Sequence, residues 1–118
     1  MARILIVDDE QMERALLQTV LEQAGHEVFL AGNGLAAIDV YRRNPVDLVI
    51  TDIDMPESNG LQLIHELREE RRDLPIVAVS GSAPVLLPLA KECGADTVLT
   101  KPLDLQKFAV AVEQALDS

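Results

Sequence analysis

The run Leu48-Val49-Ile50-Thr51 is too short for a helix, is apolar or β-branched throughout, and ends at Asp52-Ile53-Asp54-Met55-Pro56. Unbroken apolar character over four residues marks a strand buried on both faces, and the proline forbids its continuation. Ile4-Leu5-Ile6-Val7 repeats the pattern and stops at Asp8-Asp9-Glu10, and Pro75-Ile76-Val77-Ala78-Val79 repeats it and stops at Ser80-Gly81-Ser82. The brief run Thr97-Val98-Leu99-Thr100 meets Lys101-Pro102, and His26 to Ala31 reads as a fifth strand before the turn residues Gly32-Asn33-Gly34. Strands of this kind must be covered on both sides, which implies a parallel sheet between two layers of helices.

The intervening segments supply those helices. Met12, Leu16, Leu17, Val20, Leu21 and Ala24 recur at helical spacing and predict one inward stripe, with Gly25 as the stop. Ala37, Ile38 and Tyr41 share a face of a second helix that must end near Asn44, ahead of Pro45. Leu63, Ile64 and Leu67 predict the inward face of a third, capped by Ser58 or Asn59, with Glu66, Arg68, Glu69 and Glu70 in water. The fourth, after Ala83, contains both Pro84 and Pro88 and is expected to be short or distorted. Leu105, Phe108, Ala109, Val112 and Leu116 form the stripe of a fifth, with Asp104 as N-cap. Five strands alternating with five helices predict a doubly wound α/β fold with right-handed crossovers, one domain over residues 1–118.

Charge and composition exclude several functions. A formal net charge of −10 opposes a nucleic-acid partner, whose affinity depends on Lys and Arg releasing counterions. No apolar run approaches the roughly 20 residues that span a bilayer, and a strand beginning at Arg3 leaves no room for a signal peptide, so a cytoplasmic location and no membrane partner are expected. Cys93 is the single cysteine and reads as a small semi-buried hydrophobe.

The strand ends carry the chemistry. Ligands of open parallel sheets bind at the carboxyl edge, and that edge here collects Asp8, Asp9, Asp52, Ser80 and Lys101. Singly, each has an ordinary explanation: Asp8 or Asp9 as a helix cap, Ser80 as a turn residue, Lys101 as a surface charge. Together, the carboxylates repel unless a proton or cation intervenes, and a hard divalent ion such as Mg²⁺ resolves the conflict. One carboxylate can then act as a nucleophile toward phosphorus, with Lys101 and the Ser80 hydroxyl stabilising the charge of the transferring group.

Ile6-Val7-Asp8-Asp9-Glu10, Asp52-Ile53-Asp54-Met55-Pro56 with Asn59-Gly60, Val79-Ser80-Gly81, Gly94-Ala95-Asp96 and Leu99-Thr100-Lys101-Pro102 occur in one order and spacing. In these residues the chain resembles the receiver domain of two-component response regulators, of the stand-alone type, over essentially its whole length. The resemblance implies a flavodoxin-like strand order 2-1-3-4-5 and a phosphorylation-driven switch rather than an enzyme turning over an external substrate. It implies Asp52 as phosphoacceptor from a sensor histidine kinase or histidine phosphotransfer protein. Mg²⁺ (or Mn²⁺) would be held by Asp9, Asp52 and the Asp54 backbone carbonyl, with Asp8 acting largely through water. Lys101 and Ser80 would bind phosphoryl oxygens, the Lys101-Pro102 peptide would be cis, and a downstream protein target would read the change.

The chain departs from the family pattern at Val98, where an aromatic ring is common, so the usual aromatic readout is not expected. Gly81 leaves the phosphoryl pocket open, and Asp54 adds a carboxylate expected to affect phosphate lifetime. Val85, Leu86, Leu87 and Val98, with Val110, are candidates for an apolar patch serving a partner or a homodimer, or else for core. His26 and His65 read as structural or surface residues. Asp52-Ile53-Asp54 also resembles the opening motif of haloacid-dehalogenase-type phosphatases, but it follows the third strand rather than the first. A flavodoxin-like cofactor site would need a phosphate-cradling loop where Asp8-Asp9-Glu10 stands.

Overall fold

The computed structural model of the 118-residue chain describes residues 1–55, 60–81 and 86–117, the side chains of Leu86 and Leu87 excepted. Ten elements alternate: β1 (Arg3–Val7), α1 (Gln11–Gln23), β2 (Glu27–Ala31), α2 (Gly34–Arg43), β3 (Leu48–Asp52), α3 (Gly60–Glu70), β4 (Ile76–Ser80), α4 (Leu86–Cys93), β5 (Thr97–Thr100) and α5 (Leu105–Asp117). The strands form one parallel sheet in the order β2-β1-β3-β4-β5, as the resemblance implied.

Alternation along each strand divides the core. Ile4, Ile6, Leu48, Ile50, Val77 and Val79 pack with Leu17 and Leu21 of α1 and Phe108, Val112 and Ala115 of α5. Leu5, Val7, Val49, Ile76 and Ala78 pack on the other side with Ala37 of α2, Leu63, Ile64 and Leu67 of α3 and Ala90 of α4. The unbroken apolar runs therefore feed two cores, one per face. Tyr41 and Ile38 join the second of these, as their spacing predicted.

Helix ends follow local chemistry. The Asn33 carboxamide caps α2 by accepting from the Ala36 N–H at 2.8 Å, and Asn44 closes the helix one residue before Pro45. Asp104 caps α5 through the N–H groups of Gln106 and Lys107, as expected. Gly25 and Gly94 end α1 and α4 at φ of 92° and 124°, the left-handed region that glycine enters without strain. The expected caps Ser58 and Asn59 lie outside the described residues, as do Pro56 and Pro84. At eight residues α4 is the shortest of the described helices, matching the expectation. Pro88 is its third residue, within the first turn, where backbone N–H groups have no intrahelical acceptor to lose.

One expectation about α1 is corrected. Leu17 and Leu21 are buried, but Met12 and Leu16 are 86% and 49% exposed and Ala24 is exposed as well. A helix lying on a sheet buries only the stripe that faces it, and Met12 and Leu16 fall to its side. There they line an open groove with Pro102, Leu103 and Leu105. The apolar patch expected from Val85 to Val98 is only partly visible: Val85 and the side chains of Leu86 and Leu87 lie outside the described residues. Val98 packs half-buried against the α2–α3–α4 core, whereas Val110 is exposed.

Gly60 opens α3 directly against the end of β3. A Cβ there would stand 2.5 Å from the Asp52 carbonyl oxygen and 2.6 Å from the Ile53 Cα, both backbone atoms that cannot move alone. Gly60→Ala should therefore destabilise the fold by about 1–3 kcal/mol, the usual cost of forcing an atom into a packed contact, read as a lower urea midpoint.

Candidate functional site

Strand register brings the polar residues to one edge. Val7 pairs with Thr51, Asp52 with Val79 and Ser80 with Thr100, so Asp8, Asp52, Ser80 and Lys101 lie at neighbouring levels. Alternation then sorts them by face. Asp8 continues the Ile4, Ile6 series, Asp52 the Leu48, Ile50 series and Lys101 follows Leu99, all on the α1–α5 side. Ser80 continues the opposite series, from Ile76 and Ala78.

Asp8, Asp9 and Asp52 each offer an oxygen within 4.8 Å of the others; Asp8 and Asp52 are buried and Asp9 is exposed. Three hard oxygen donors at this spacing, opening to solvent at Asp9, can hold a divalent cation such as Mg²⁺ with waters completing its shell. Lys101 Nζ donates to Asp52 Oδ2 at 2.8 Å and lies 3.7 Å from Asp8 Oδ2, which disposes of its reading as a surface charge. Asp52 Oδ1 accepts from the Asp54 N–H at 2.8 Å, so both its oxygens are held. Neither Asp8 nor Asp9 takes the N-cap position of α1. Glu10 occupies it without a side-chain bond, and Asp8 Oδ1 accepts from the Glu10 N–H instead.

Two residues at the site carried no signal in the sequence. Glu13, on α1, accepts from Lys101 Nζ at 2.9 Å, and Arg14 donates to the Asp8 carbonyl at 2.6 Å. Both sit in the first turn of an amphipathic helix, where charge is ordinary. Only the packing of α1 on the Asp52 side of the sheet turns them toward the site. The Ser80 hydroxyl donates not to the Asp52 group but to Asp54, whose two carboxylate oxygens both lie 3.0 Å away. Asp54 Oδ2 also accepts from the Gly81 N–H at 2.8 Å. The Lys101-Pro102 peptide is cis.

The electrostatics follow from this crowding. Burial opposes the Lys101 charge, but hydrogen bonds to Asp52 and Glu13 and the fields of Asp52 and Asp8 outweigh it, holding the ammonium above the usual lysine range. Asp8 is pushed up to about 6, first by burial and then by the charges of Asp52 and Glu13, against the pull of the Glu10 N–H and Lys101. The two histidines lie elsewhere. His26 Nδ1 accepts from the Ala2 N–H, which places the ring proton on Nε2 facing Glu113, and exposed His65 pairs with Glu69.

The fold and this edge together define a doubly wound α/β domain with an acidic, lysine-bearing site at the carboxyl ends of its strands. The chain belongs to the response regulator receiver domain family, whose model matches residues 4–113. It is 38% identical over 114 residues to the TorCAD operon transcriptional regulatory protein TorR of Escherichia coli O157:H7, spanning 96% of this chain and 49% of that protein. Against the DNA-binding transcriptional regulator NtrC of Azospirillum brasilense it is 38% identical over 118 residues, 99% of this chain and 24% of that one. The chain thus spans half or less of these curated relatives. A response regulator receiver domain protein from Clostridium thermocellum superposes with a TM-score of 0.93 at 28% identity, covering 99% of this chain and 95% of that structure. Membership places the chain in phosphorylation-dependent signalling by two-component systems. No helix among the described residues is long and apolar enough to cross a membrane.

The raised Asp8 value has a sign that stability measurements can read. Between pH 3.8 and about 6 the folded protein keeps a proton that the unfolded chain gives up, so stability falls as pH rises through that window. Above it, the buried charge costs about 3 kcal/mol at most. In metal-free protein, Asp8→Asn should be more stable than the parent at pH 7.5 by up to about that amount, with the gain vanishing near pH 4. Urea titrations of both proteins at the two pH values check this.

Proposed function

We propose that Asp52 accepts a phosphoryl group from a phosphohistidine on a sensor histidine kinase or histidine phosphotransfer protein, and that the phosphorylated chain alters its binding to a downstream protein. The observation that carries this is the Lys101 ammonium 2.8 Å from a buried Asp52 carboxylate, beside Asp8 and Asp9 at metal-binding spacing. Asp8, Asp9, Asp52 and the Asp54 backbone carbonyl would hold Mg²⁺ or Mn²⁺, which supplies charge neutralisation at the phosphoryl oxygens.

The chain's own residues do the rest. Asp52 is oriented before any donor arrives, Oδ1 by the Asp54 N–H and Oδ2 by Lys101. One of its oxygens attacks phosphorus as the P–N bond to the donor imidazole breaks, and the imidazole leaves with a proton. Lys101 is already charged and needs only to shift from carboxylate to phosphoryl oxygen, which is electrostatic preorganisation. Glu13 also accepts from the ammonium, at 2.9 Å, and so shares its charge with the acceptor. Ser80 supplies a hydroxyl to another phosphoryl oxygen once it leaves Asp54. This is assistance to the chain's own modification, not turnover of an external substrate.

The groove lined by Met12, Glu13, Leu16, Lys101, Pro102 and Leu105 opens beside the acceptor. A protein donor must bring its imidazole to Asp52 and so must cover this ground, which offers exposed Met12 and Leu16 as apolar anchors. The chemistry and the docking can therefore be separated.

With Mg²⁺ and a small phosphodonor such as acetyl phosphate, intact mass should rise by one phosphoryl group, and Asp52→Asn should abolish the gain. A gain persisting in that variant removes the assignment. Lys101→Ala should still accept the group but show a blunted change in tertiary structure, read by amide chemical shifts. Leu16→Asp should lower transfer from a phosphohistidine protein by about tenfold while leaving acetyl phosphate labelling within about twofold, since an exposed apolar anchor serves only the protein donor.

A further inference from the structure

We propose that Asp54 is a positioning residue that holds the Ser80 hydroxyl away from the acceptor, so that Asp54 and the phosphoryl group compete for one O–H. The inference rests on the reading of Asp52 as phosphoacceptor. Ser80 is buried, and its hydroxyl has a single proton to donate. That proton is directed at the Asp54 carboxylate, whose oxygens both stand 3.0 Å from Ser80 Oγ. The same carboxylate accepts from the Gly81 N–H at 2.8 Å, so it grips the end of β4 through side chain and backbone together.

The grip is anchored at the acceptor itself. Asp54 donates its own N–H to Asp52 Oδ1 at 2.8 Å, which ties the holding residue to the group whose modification must release it. The segment held passes close to Lys101, since a Cβ on Gly81 would stand 2.9 Å from the Lys101 Cβ. Ser80 also belongs to the strand series facing α2, α3 and α4, whereas Asp52 and Lys101 belong to the series facing α1 and α5. The hydroxyl reaches a phosphoryl oxygen only by abandoning a charge-assisted bond, and such bonds are stronger than neutral ones. Asp54 thereby sets how much of the phosphoryl group's binding is spent on releasing β4, and it biases the resting population toward the held form.

Beryllofluoride with Mg²⁺ is a noncovalent stand-in for the phosphoryl group, and its titration followed at the Ser80 and Gly81 amides reads the competition. Asp54→Asn weakens the held state and should raise apparent beryllofluoride affinity about tenfold, the scale of one charge-assisted hydrogen bond. In a Ser80→Ala background the same change should raise it less than about twofold, because no hydroxyl remains to compete for. No gain, or an equal gain in both backgrounds, overturns the proposal, the latter by reducing Asp54 to a general negative charge. A second arm needs no phosphoryl chemistry: in the unmodified protein, Asp54→Ala should speed exchange of the Gly81 amide hydrogen at least about tenfold. Unchanged protection overturns the hold. Failure of the Asp52 reading appears separately, as parent protein that neither gains mass nor binds beryllofluoride while the exchange result still decides the grip.

Discussion

The Lys101 ammonium holds the strand edge together. It stands 2.8 Å from Asp52, 2.9 Å from Glu13 and 3.7 Å from Asp8, and no other lysine or arginine side chain among the described residues forms an ion pair with Asp8 or Asp52. Two buried carboxylates on adjacent strands repel each other, and removing one partner from such a set leaves charge uncompensated in a low-dielectric place. The ammonium is outnumbered even so. Burial first, and the charges of Asp52 and Glu13 after it, leave Asp8 raised to about 6, a cost that a divalent cation held here would offset.

The sheet beneath that edge is what makes the arrangement possible. Parallel pairing places Val7 beside Thr51 and Asp52 beside Val79, so residues tens of positions apart in sequence reach one level. Both faces are sealed by apolar side chains, which fixes register because a slip of one residue would move every side chain to the wrong core. Gly60 lets α3 begin against the Asp52 backbone, where a methyl group would not fit. Packing and electrostatics are thus coupled at Asp52: the residue whose carboxylate meets Lys101 also forms the wall against which a helix is seated.

The same alternation that gathers Asp8, Asp52 and Lys101 sends Ser80 to the opposite side. There it meets Asp54, whose main chain touches Asp52 and whose side chain holds Ser80 and Gly81. The Asp52 carboxylate and the Ser80 hydroxyl are neighbours in the fold but are joined through a third residue. With Val98 half-buried in the core in place of an aromatic ring, the polar contacts of Asp54 link the Asp52 carboxylate to the end of β4.

Element type and order were legible from residues alone because each strand run is apolar throughout and each helix carries its stripe, its cap or its stop: Asn33 and Asp104 as caps and Gly25 as terminator are local effects. The meeting of Asp8, Asp9, Asp52 and Lys101 was legible too, since parallel strands in such a sheet end at one edge. Local pattern could not say which side of an apolar helix stays open, and so Met12 and Leu16 read as core. Nor could it find Glu13 and Arg14, which look like any charged residues on a first turn until α1 is laid on the Asp52 face. The partner of the Ser80 hydroxyl was decided by tertiary structure alone, because it depends on strand parity, register and the path of the loop after β3 acting together. Sequence periodicity determines the type and order of the elements; only the packed sheet determines which flank of a helix stays open and which polar groups then face one another.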